Sequence, residues 1–252
     1  MKIVRGIFFY ISSGSVIALY IGFMFVEPLF YNGLEGLIKV LKDWQTLNAA
    51  LIALLASFIA LYTTQYNDKK KKERDFIASK AFLPEVLSEL TNYLELSAKL
   101  LLEAYRRENE ENDKCTSELN QELPKLPNSH RTIFRDCIHS GEPEIGDYLS
   151  EILVTLQVHN SRMKCVKDGF KSPREFMKSP EVLMSNIFVL GKLHARVTGL
   201  FDFGRNQKDL NYLPLTVSQI HNSYKNLGLD VLEVDGLLEL TERFCKNKMK
   251  RT

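Results

Sequence analysis

From Trp44 to Arg74 the chain reads WQTLNAALIALLASFIALYTTQYNDKKKKER. An apolar stretch without charge runs to Asp68 and is followed at once by Lys69, Lys70, Lys71 and Lys72, with Arg74 just beyond. The hydrocarbon core of a bilayer, about 30 Å thick, takes about 20 apolar residues of helix. A basic cluster directly after such a stretch marks the cytoplasmic end of a span. A second uncharged stretch, residues 7–26, precedes the first. It is as long as a full span and has no A-x-A cleavage site, with bulky residues through the zone where a signal peptide would be cut. It is therefore expected to remain as a helix. Together the stretches predict a two-helix transmembrane hairpin over residues 1–67, with spans at about 7–26 and 45–66.

The basic residues set the topology. Lys2 and Arg5 flank the first span, and Lys69, Lys70, Lys71, Lys72 and Arg74 flank the second. The intervening residues 27–43 carry only Lys39 and Lys42, offset by Glu27, Glu35 and Asp43. The positive-inside rule then places both termini in the cytoplasm of a cell with an inner membrane. The short connection faces the other side, with its GLEGLIKVLKDW part as a brief amphipathic turn at the interface and Trp44 as an anchor. The lysines also attract anionic headgroups by about 1 kcal/mol each, so the lipid bilayer is the first expected partner.

Small residues recur every fourth position on both predicted spans: Gly14, Ala18 and Gly22 on the first, Ala49, Ala53 and Ser57 on the second. Such stripes let helix backbones approach closely. They are expected to pair the two spans with each other; pairing with a second copy, giving a homo-oligomer, stays open. No Asp, Glu, Lys, Arg or His lies within either stretch. Transporters and proton pumps place such groups at depth, so neither class is expected.

After the lysines the apolar spacing is helical throughout. Phe76, Leu83, Leu87, Leu90, Leu94, Leu101 and Tyr105 share one face at three-, four- and seven-residue steps. Pro84 interrupts the run by removing a backbone donor, which predicts a kink or restart. Residues 68–84 read as a basic juxtamembrane stalk and 85–252 as a cytosolic all-α domain, a helical bundle whose first helix packs on later ones in preference to a coiled coil between copies. Residues 106–128, with ENEEND, Pro124 and Pro127, read as a polar surface loop or a partly disordered excursion. Helices are expected over 132–139, 143–167, from a capping box at Ser172–Glu175, from Ser179-Pro180-Glu181 toward Gly199 or Gly204, over 215–226 with Gly228 as C-cap, and from Asp230 or Asp235 to a basic C-terminus. Residues 227–234 are the only strand candidate. Cys115, Cys137, Cys165 and Cys245 all follow the lysines and are expected to be reduced and unpaired on the cytosolic side.

Motifs for chemistry are weak. Asp202-Phe203-Gly204 matches the kinase metal-binding tripeptide, but no Gly-rich loop or His-Arg-Asp loop accompanies it. Arg135 and His139 resemble the Arg…His pair of HEPN-type ribonucleases, with a gap shorter than that family's. Cys137, His139, His130, His159 and Cys165 lack CxxC or HxxxH spacing, and Asp136-x-x-His139 occurs once where a di-iron bundle needs pairs. Glu85 and Glu89 fit a solvated face, and His194, near Arg196, fits a satisfied core histidine. No metal or cofactor is expected. The net charge of +2 gives no global case for nucleic acid.

Trp44-Gln45-Thr46-Leu47, the basic stop, Ala81-Phe82-Leu83-Pro84 and Leu87-Ser88-Glu89-Leu90-Thr91-Asn92-Tyr93 resemble a (W/Y)QTL…ALP…LSEL…Y run. That run occurs in a group of uncharacterised two-pass bacterial inner-membrane proteins. The resemblance covers residues 44–93 and implies two spans, with no activity to carry over. In architecture alone the chain is also similar to two-span effectors of bacterial antiphage systems. The favoured reading is a non-enzymatic membrane-anchored helical module that binds a cytosolic protein partner or senses a signal. The alternatives are an oligomerising membrane-disrupting effector and a tethered HEPN-like ribonuclease.

Overall fold

A computed structural model describes residues 20–109, 118–171, 179–210 and 212–249. Every regular element among them is helical. The chain divides into two compact units, Met1–Lys69 and Lys70–Thr252.

In the first unit a π-helical stretch, Gly22–Val26, leads straight into α1, Glu27–Asp43. This corrects the expectation of a loop with a brief amphipathic turn at 27–43. Pro28 stands just where the π-helical stretch passes into α1. Gly33 bends the helix midway with φ 59° and ψ −149°, values that a side chain disfavours. Its apolar residues Leu37, Val40 and Leu41 are partly covered, while Leu34 and Ile38 are exposed. Trp44 (φ −104°, ψ 22°) separates α1 from α2, Gln45–Ala81. Of the first predicted span, residues 7–19 lie outside the described residues.

Helix α2 runs unbroken through the lysine cluster. It is the one helix among the described residues long and apolar enough to cross a membrane, and none of its apolar stretch is buried by protein. Its hydroxyl groups are satisfied locally. Ser57 Oγ donates to Ala53 O at 2.8 Å, Thr63 Oγ1 to Ile59 O at 2.8 Å and Thr64 Oγ1 to Ala60 O at 2.9 Å. A lipid-facing helix must satisfy its polar groups in this internal way.

The second unit is a helical bundle. Phe82 is a turn residue, and α3, Leu83–Asn109, restarts with Pro84 in its first turn. Leu83, Leu87, Leu90, Leu94, Leu101 and Tyr105 are buried along one face, as their spacing predicts. The remaining helices are α4, Ser129–Ser140; α5, Pro143–Lys171; α6, Pro180–Gly204; α7, Val217–Asn226; and α8, Leu237–Met249. Helix α6 is the hub, packed most extensively on α3 and also touching α5, α7 and α8. Ser179 caps it by accepting from Val182 N–H at 3.4 Å. Thr216 and Gln219 form a capping box at the start of α7. The turn after α7 uses Gly228 at φ 69°. Residues 227–234, the strand candidate, form turns instead, with Leu232 N–H bonded to Asp230 Oδ1 at 3.0 Å. The capping box expected at Ser172–Glu175 lies outside the described residues.

Residues 118–127, after α3, form an irregular segment held by side chains of two helices. Asn120 and Gln121 donate their N–H groups to the two carboxylate oxygens of Glu103 at 2.7 and 2.8 Å. Lys167 Nζ donates to the carbonyls of Leu119 and Gln121 at 2.6 and 2.7 Å. Leu119 is buried, and Leu123 and Leu126 pack against the core. Glu103 on α3 and Lys167 on α5 thus pin this surface loop from two helices.

Candidate functional site

Three places matter: the uncovered helix with its basic end, the seat of the stalk on the bundle, and a cleft beside α6.

On α2, Ala49, Ala53 and Ser57 are exposed. Gly22 has open space where a side chain would stand. The structure brings none of these four against one another, and Gly14 and Ala18 lie outside the described residues. Lys69, Lys70, Lys71, Lys72 and Arg74 are exposed along α2. Within the first unit, Tyr20 Oη donates to Asn48 Oδ1, and Tyr20, Phe23, Met24, Val40 and Trp44 line an open apolar groove of about 450 Å³.

In the second unit the last turns of α2 are seated on α4 and α6. A Cβ on Gly141 would come within 2.8 Å of Phe76 Cε2, so the absence of a side chain there makes room for the ring. Lys80 Nζ stands 3.7 Å from the centre of the Phe203 ring and 5.9 Å from that of Phe76, a cation–π arrangement. Burial lowers the Lys80 pKa, opposed by Asp209 and Cys137. Burial pushes the Cys137 thiol up to about 11, with Asp136 adding and Lys80 opposing. The middle residue of the kinase-like tripeptide is thus a packing ring, and its Asp202 pairs with Lys208 at 2.8 Å.

The other chemical candidates disperse. Arg135 and His139 are exposed on α4, and Arg135 pairs with neighbouring Asp136 at 3.0 Å. Cys137 is buried, Cys165 exposed, and the Nδ1 of His130 is bonded to the Pro127 carbonyl at 2.6 Å. His159 is buried edge-on against Tyr93. No group of three His, Cys, Asp or Glu among the described residues is placed to hold a metal ion. Glu85 is exposed, and Glu89 accepts from Ser129 Oγ at the start of α4. His194 is buried, but its Nδ1 has no hydrogen-bond partner, contrary to the expectation of a satisfied histidine. Burial lowers both His194 and His159 to about 4; Arg162 adds to the effect at His159.

The cleft is built from α5, α6, the segment before α7, and α8. Tyr148, Glu151, Arg196, Tyr212, Leu215 and Phe244 are among its lining, and it encloses about 120 Å³. Arg196 Nη1 lies 2.6 Å from Glu151 Oε1; the arginine side chain is 10% exposed and the glutamate 56%. Tyr148 Oη donates to the Arg196 carbonyl at 3.4 Å, and its ring meets Tyr212 edge to face at 6.4 Å. Burial raises the pKa of both tyrosines; Glu144, Glu142 and Asp209 raise Tyr212 further. Sequence spacing gave no sign of this cleft, because its residues come from four separate segments. No family model, curated protein or solved structure matches the chain.

Proposed function

We propose that the chain is a two-pass inner-membrane protein with both termini in the cytoplasm. Its helical bundle would bind a protein partner or sense a signal at the membrane face, without catalysis. The observation that supports this best is α2 itself. One helix carries an apolar stretch that no protein covers, a run of lysines, and then Phe76 and Lys80 packed on α4 and α6. Anchor and bundle share that helix. The exposed Ala49, Ala53 and Ser57 favour a second reading, in which the hairpins of several copies assemble into a leaky membrane effector.

The test is expression of the full chain in a bacterium, followed by alkaline carbonate extraction and a membrane-potential dye. Retention in the extracted membrane without depolarisation supports the anchored module. Depolarisation that Ala53→Leu abolishes supports the effector. Release of the chain by carbonate overturns both.

A further inference from the structure

The cleft beside α6 is lined by one buried cation, Arg196, and one more exposed carboxylate, Glu151. The Arg196 side chain is nine-tenths buried, and its Nη1 lies 2.6 Å from Glu151 Oε1. A guanidinium presents five donors in a fixed fork that matches a carboxylate. Glu151, more than half exposed, is a counter-ion that can turn toward solvent. Toward solvent, Tyr212 is half exposed. Tyr148 and Tyr212 form adjoining aromatic walls, and Leu215 and Phe244 add apolar surface.

These features select by charge. A bare anion on Arg196 displaces Glu151 and leaves that carboxylate without its cation, and a bare cation drawn to Glu151 leaves the buried arginine unpaired. A molecule carrying both charges meets each with its opposite. Aromatic faces beside the mouth suit an ammonium group. The volume of about 120 Å³ suits a small molecule.

We propose that this cleft binds a small zwitterion of the α-amino-acid class with a short side chain, its carboxylate on Arg196 and its ammonium on Glu151. Binding replaces one carboxylate by another on Arg196 and gives Glu151 a new cation, so no charge in the cleft is left unpaired. This assignment stands whether or not α2 crosses a bilayer.

The test is isothermal titration of the full chain in detergent with glycine, L-alanine and L-serine. Acetate and ethylammonium serve as half-ligands and L-tryptophan as a size control. At least one of the three small amino acids should bind, about tenfold or more tighter than either half-ligand, because a site built for both charges rejects a molecule lacking one. L-tryptophan should not bind. Arg196→Gln should remove binding. Glu151→Gln, at an exposed position that spares the fold, should weaken the zwitterion and leave acetate no weaker. Absence of binding by all three amino acids would overturn the assignment. So would acetate binding as tightly as the best of them, or an unchanged zwitterion affinity in either variant.

Discussion

Helices α2 and α6 are both long and apolar, yet the apolar stretch of one is uncovered by protein and the other buries most of its length. No residue of α2 is buried. On α6, Leu183, Ile187, Leu190, Leu193, Val197 and Leu200 are all fully inaccessible. The difference lies in how polar groups are placed. On α2 they are hydroxyls bonded to their own helix and a block of lysines at one end. On α6 they are Asn186, His194 and Arg196, set within the helix; Asn186 and Arg196 answer partners on α5 at Arg162 and Glu151. Apolar content alone does not choose between lipid and protein as solvent. Where the polar groups find their partners separates the helix that packs on protein from the one that protein leaves uncovered.

The widest separation between the two helices should come from charge. Leu54→Arg with Phe58→Arg opposes membrane insertion by about 5–7 kcal/mol, summing the two central positions. The expected outcome is release from membranes by alkaline carbonate, with the bundle's thermal unfolding unchanged. Inside α6, Leu190→Ala removes a fully buried side chain and should cost about 2–5 kcal/mol. Denaturant unfolding would register that loss, whereas Leu54→Ala should leave it untouched. If both alanine variants destabilise the bundle equally, the contrast fails.

Acidity sharpens the comparison next. His159 is neutral and buried, and its pKa is lowered from 6.5 to about 4. Its contribution is therefore complete above pH 6.5 and is lost as pH falls through about 4. A shift of that size corresponds to about 3 kcal/mol. Unfolding curves between pH 7 and 4 should show the bundle weakening, and His159→Leu should flatten that decline. The smallest effect is expected at the surface, where Arg106 pairs with Glu233. Glu233→Gln should change stability by less than about 1 kcal/mol, and added salt should erase the difference.

What could be read from the chain beforehand followed from periodicity and from single punctuating residues. The buried face of α3 was evident from its spacing, the restart from Pro84, and the start of α6 from Ser179 and Pro180. Helix α1 was hidden because its glycines and mixed charges resemble a loop, and the kink at Gly33 keeps two short helical pieces in succession. The pinned segment was hidden because its polar composition says nothing of Glu103 and Lys167, which hold its backbone from elsewhere. Thr216 and Gln219 did carry a readable capping signal that placed the start of α7 two residues later than expected. The cleft had no such signal. Arg196 announces itself only as one charge in an apolar helix, and its surroundings exist only after α5, α6 and α8 have met.

The seat of Phe76 has a consequence for how the chain is made. Gly141 and Phe203, against which Phe76 and Lys80 pack, are synthesised well after them. As the nascent chain emerges, the end of α2 has no place to rest until α4 and then α6 have left the ribosome. The stalk is thus secured only after segments more than 60 residues downstream of it have been made. A truncated product ending before α6 would leave Phe76 and Lys80 without half of their contacts, as exposed apolar and cationic surface for quality-control machinery to find.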